Sequence, residues 1–292
     1  MNAFQPTYRI EQGPPAMSWE EYESILLPQW HNLLHLDGPS SEVEFQTFLE
    51  LHPCLVPGAY SISTPSGHGP YLGALITQPR LVGRTTRVPD FVWLANDSAT
   101  FNPVFIEIEN PKKRWFTKQA VQHHKLTQAF GQLAEWSEWF SRDGQRTSFF
   151  EQLSIPHWMR EDRAFEPQFL LIYGRRSEFE TTPDLILHRQ RFNGENLGSM
   201  TFDRLSPKYD CRNFVTVQVK AGQFEVIAVP PTLTLGPNGC ERWLHLRGVE
   251  EAIGRNELIA EDRKGFLCDR LQYWREWASH SNRGFVSSRD SE

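Results

Sequence analysis

Cysteine is scarce and unpatterned in this chain. Cys54, Cys211, Cys240 and Cys268 are scattered with no CxxC spacing, which argues against a zinc site or a disulfide framework and fits a reducing, cytoplasmic setting. An excess of basic charge is missing too. Thirty Lys and Arg face 36 Asp and Glu, for a net charge of −6, so any contact with nucleic acid must rest on local basic patches. No apolar run approaches a membrane span, and the opening MNAFQPTYRIEQGPPAM lacks the apolar centre of a signal peptide. Neither repeats nor low-complexity tracts are visible.

The 292 residues do hold 39% hydrophobic side chains, with 10 Trp and 20 Phe. That is enough for a large globular core. Ser18 and Glu21 form a capping-box pattern ahead of a helix that Pro28 is expected to kink or break. Ser41 and Glu44 repeat the pattern before a short helix with Phe45, Phe48, Leu49 and Leu51 on one face, and Pro53 closes it. Residues 56–87 read as loops. A hairpin follows over 88–109, then a long helix predicted to start at Thr117 with Leu126, Ala129, Phe130, Leu133 and Phe140 as its apolar stripe.

PQFLLIYGRR reads as a buried strand ending at Gly174, and PDLILHRQRFN as a strand or a short helix. NFVTVQVKAGQFEVIAVPP alternates and turns at Ala221-Gly222, a hairpin. Two helices are expected near 240–254 and 257–278. The order predicts an α/β or α+β core, organised as a flexible arm (1–17), a main domain (18–212) and a C-terminal hairpin with helices (213–292) that packs on the core or assembles oligomers.

The chemistry concentrates in VPDFVWLANDSATFNPVFIEIENPKK, residues 88–113. A turn centred near Ser98–Ala99 puts Asp90 opposite Glu107. Alternation places Phe105, Glu107 and Glu109 on one face, with Asp90 pointing the same way as Glu107. Like charges opposite one another destabilise a sheet, and carboxylates crowded together raise one another's proton affinity unless a cation sits between them. A hard divalent ion such as Mg²⁺ suits oxygen ligands and phosphodiester cleavage. The alternative is a sheet edge whose acids face water and pair with Lys112, Lys113 or Arg114.

Pro89-Asp90 followed by Glu107-Ile108-Glu109 resembles the PD-(D/E)xK nuclease core, with Glu109 where that core usually has lysine. SEVEFQTFLELHPCLVPG, QAFGQLAEW, IENPKK, LLIYGRR and GSMTFDRL together resemble the Shedu-type antiphage defence nucleases over about residues 40–207. The resemblance implies a restriction-endonuclease-like α/β core and a metal-dependent DNA endonuclease, using Mg²⁺ or Mn²⁺, that forms a homo-oligomer and protects bacteria against phage. It implies Asp90, Glu107 and Glu42 as metal ligands, and adds Glu109 and Gln132 as catalytic residues.

Glu109 would then act as general base or second ligand, with Lys112 or Lys113 supplying the missing positive charge. Glu42 has a second reading as a helix-dipole acid, and Gln132 as an ordinary boundary residue. Lys112, Lys113, Arg114 and Lys118, interleaved with Trp115 and Phe116, suit phosphate contact and base stacking. Arg84, Arg87, Arg175 and Arg176 are further phosphate candidates. The alternative function is a nuclease fold without turnover that binds or senses DNA; a weaker one is RNA cleavage.

Overall fold

The computed structural model describes residues 6–35, 41–62, 67–83, 85–142, 144–180, 184–280 and 284–292. The DGPS stretch at Asp37–Ser40, whose sequence is expected to end the first helix, and the candidate Arg84 lie outside them.

Two helices open the chain, α1 (Trp19–His35) and α2 (Glu42–Leu51). Strands β1 (Ala74–Thr77), β2 (Phe91–Asn96) and β3 (Thr100–Ile108) follow, then α3 (His124–Ser141), α4 (Gln145–Gln152) and α5 (His157–Arg160). Next come β4 (Ala164–Phe165), β5 (Gln168–Ile172), α6 (Ser177–Glu180), α7 (Asp184–Gln190) and β6 (Leu197–Met200). The chain continues through β7 (Val215–Lys220), β8 (Gln223–Ala228), β9 (Leu246–Arg247), α8 (Val249–Arg255) and α9 (Glu261–Ser279).

All nine strands join one mixed sheet in the order β6-β5-β3-β2-β1-β7-β8-β9, with β4 beside β3. The β2–β3 and β7–β8 hairpins are antiparallel, whereas β3–β5, β5–β6 and β1–β7 are parallel. Alternation along β3 splits the core in two. Val104, Ile106 and Ile108 pack towards α1 and α2 beside Tyr22, Trp30, Phe45 and Leu49. Phe101 and Phe105 pack towards α3 beside Leu126, Leu133 and Trp136.

Several expectations need correction. Pro28 does not break α1, which runs through it with Leu26, Trp30 and Leu34 buried on both sides; that shared face holds the two halves together. The long helix starts at His124, with His123 as its cap. Residues 117–123 instead form a turn closed by Thr117 N donating to Val121 O (2.8 Å), with Ala120 at φ 59°. Residues 74–77, read as loop, form a strand; four residues buried on both sides carry no alternation to detect. The Ala221-Gly222 turn is as expected, both residues having positive φ as a two-residue hairpin loop requires.

Residues 6–17 form no helix but lie against α9. Arg270 donates to the Arg9 carbonyl (2.7 Å), Arg263 to the Pro14 carbonyl (2.7 Å), and the Tyr273 hydroxyl accepts from Arg9 N (2.7 Å).

Candidate acidic site

The register Phe91↔Ile106 brings Asp90 and Glu107 together one step further, where the β2–β3 hairpin opens. Asp90 caps this end of the sheet, its Oδ2 accepting from Ile108 N (2.8 Å). Its carbonyl accepts from Gln78 N (2.9 Å) and from Gln46 Nε2 (3.4 Å). Glu107 is buried, 8% exposed, with its carboxyl beside Asp90 and the Gln132 amide on α3. Its Oε2 is buried with no partner among the described residues.

Burial pushes both carboxyls far above the ordinary range. For Glu107 the neighbouring Asp90 and Glu42 charges add to it. For Asp90 the Ile108 N–H works against the rise, while Glu42 and Glu50 reinforce it. Both carboxyls therefore hold a proton more tightly than a free carboxylate would, and they titrate as one interacting pair.

Glu109 follows β3, with its N–H bonded to Ile172 O (2.9 Å). Its carboxylate forms an ion pair with Lys113, which also lies 3.5 Å from Glu42 Oε2. Of the two lysines considered for the missing charge, Lys113 is the one on Glu109. Glu42 stands in the first turn of α2, its side chain 45% exposed. Glu44 accepts from Ser41 N (2.9 Å) and so caps the helix.

Behind Asp90 lies a network absent from the sequence reading. Gln46 Nε2 donates to Thr77 Oγ1 (2.9 Å) and Glu50 Oε1 (3.1 Å), and Thr77 donates to Glu50 Oε1 (2.5 Å). The available signal was Gln46 itself, a polar residue between Phe45 and Leu49 on the buried face of α2.

The basic segment is pinned from within. Trp115 and Phe116 are fully buried, so they pack in the core and offer no stacking platform. Their backbone N–H groups both donate to Glu178 on α6, each at 2.9 Å. This leaves Lys112, Arg114 and Lys118 exposed on the surface, with Arg114 3.8 Å from Glu178. Other candidates have internal duties. Arg175 pairs with Asp203 (2.8 Å), Arg176 N donates to the same carboxylate (2.6 Å), and Arg87 pairs with Glu135 (2.6 Å). His123 caps α3, its ring 4.5 Å from that of His124.

Among the described residues, no group of three or more acidic, histidine or cysteine side chains has the spacing to hold a metal. The Asp90–Glu107 pair supplies two carboxylates and one buried orphan oxygen. That set fits a hard ion that takes one or two carboxylates and completes its shell with water and phosphate oxygens.

A mixed sheet flanked by helices, with a buried carboxyl pair where a central hairpin opens, defines a class of α/β protein with an acidic site at the end of its sheet. Within that class the family is specific: residues 39–206, more than half of the chain, match the model for "Shedu protein SduA, C-terminal". The chain belongs to this family of Shedu-type defence proteins. No curated protein matches it. No helix among the described residues is long and apolar enough to cross a membrane.

Proposed function

We propose that this chain is a metal-dependent DNA endonuclease of antiphage defence, built on a PD-(D/E)xK core and acting with Mg²⁺ or Mn²⁺. The observation that carries the reading is the buried Asp90–Glu107 pair beside Gln132, with Lys113 paired to Glu109 and Glu42 and with Lys112, Arg114 and Lys118 exposed in the same segment. Two carboxyls buried together inside a fold are costly unless they serve a cation.

The ion would supply Lewis-acid polarisation of a phosphoryl oxygen and charge neutralisation at the phosphodiester. Asp90 and Glu107 would hold it once both are ionised. Gln132 keeps the Glu107 carboxyl oriented. Lys113 holds Glu109 charged at the edge of the site, where that carboxylate can accept a proton from water. The exposed cations hold the DNA backbone by phosphate contacts that weaken with salt.

The test is incubation of supercoiled and linear DNA with the protein under Mg²⁺, Mn²⁺ or chelator. Metal-dependent cutting is expected, falling at least 10²-fold in Glu107→Ala with the fold retained by circular dichroism. Cutting by Glu107→Ala at the wild-type rate overturns the site. The second reading, a DNA-binding or sensing subunit without turnover, draws on Glu109 standing where the usual lysine would be. It predicts DNA binding with no product under either metal.

A further inference from the structure

An open trough of about 610 Å³ runs beside α3, lined by Thr86, Arg87, Gln128, Gly131, Gln132 and Glu135, among others. The four α3 positions follow the i, i+3, i+4, i+7 spacing of one helix face. Gln132 is also the amide beside Glu107, so this face lies next to the carboxylate pair. The one carboxylate in the trough, Glu135, is tied to Arg87 across it at 2.6 Å, which offsets its repulsion of an anion. The amides of Gln128 and Gln132 and the hydroxyl of Thr86 are neutral hydrogen-bonding groups that suit a polar backbone.

Gly131 is the anomaly of this face. Glycine in the interior of an 18-residue helix weakens it relative to alanine. Among the described residues nothing requires it, since a Cβ there would meet no atom within 4 Å. Gly254 in α8 and Gly265 in α9 are likewise uncontacted, but neither borders this trough. A glycine that packing does not need, on the floor of a polar trough leading to the acids, suits the close approach of something outside the chain.

We propose that this trough is the track along which the sugar–phosphate backbone of the cleaved DNA strand reaches Asp90 and Glu107, with Gly131 as its point of closest approach to α3. The inference rests on the nuclease reading above. Binding is measured by fluorescence anisotropy of a labelled oligonucleotide with Ca²⁺ replacing Mg²⁺, on wild type, Gly131→Ala, Gly131→Leu and Gly265→Ala. Both alanine variants should melt about 2 °C higher than wild type. Gly131→Ala should weaken binding at least threefold and Gly131→Leu at least tenfold, while Gly265→Ala binds as wild type does. If Gly131→Leu binds and cuts as well as wild type, while cutting still depends on Glu107, the track is wrong and the nuclease reading stands. If wild type binds no DNA, both fall.

Discussion

The upward shift of Asp90 and Glu107 ties stability to pH with a definite sign. Both carboxyls titrate higher in the folded chain than in the unfolded one, so the native state binds more protons above the usual carboxylate range. Stability from this pair is complete below about pH 4 and is lost as pH rises towards and past neutrality. The metal-free protein should thus melt at lower temperature as pH climbs from 5 to 9. Glu107→Gln should flatten that slope, and an unchanged slope in the variant would place the buried proton elsewhere. Lys113 is a second residue to test. On the proposed nuclease activity, Lys113→Met should lower the cleavage rate about tenfold or more by removing the partner of Glu109, against less than threefold for Lys112→Met, read as single-turnover rates. The pair was legible in the sequence because strand alternation fixes facing with no knowledge of the fold. Gln46, Thr77 and Glu50 were not, because only β1 lying beside β2 brings Thr77 and α2 onto the Asp90 carbonyl.

Among the elements, α6 has an effect beyond its four residues. The Glu178 carboxylate is the acceptor for two buried backbone donors and fixes residues 115–116 beneath the exposed cations. Glu178→Ala leaves those N–H groups unpaired and should cost about 2–4 kcal/mol in denaturant unfolding. It should also make amide hydrogens of residues 112–118 exchange faster, whereas an equally protected segment would mean the aromatics alone hold it. Trp136→Ala, which empties the α3 face against the sheet, should cost about 3–5 kcal/mol by the same measurement. The start of α3 was misread because the pattern of residues 117–123 does not distinguish a turn from a first helical turn. It is the Phe116↔Gln122 bridge and the His123 cap that set the boundary. The stripe beyond it was read correctly at Leu126, Ala129 and Leu133, with Trp136 and Trp139 completing its buried face.

For the whole molecule, the C-terminal hairpin and β9 are built into the same sheet as the acidic site, and α8 and α9 pack into its core. Arg270 on α9 is 2% exposed and reaches the Arg9 and Glu292 carbonyls. Arg270→Met should therefore speed proteolysis within residues 6–17 while Glu107-dependent cutting persists. Cleavage of that segment at the wild-type rate would show that Arg270 is not its anchor. The hairpin itself was read from its own residues; its neighbour was not, since nothing local to β7 names β1.

That neighbour pairing sets the order in which the chain can be made. The partner of β1 on its outer side leaves the ribosome about 140 residues after β1 does. Until then the nascent chain carries an unpaired strand edge beside an uncovered apolar face, the surface that holding chaperones recognise and that aggregation begins from. A message truncated before Val215 should accordingly yield insoluble protein, even though every acid of the site has already been synthesised.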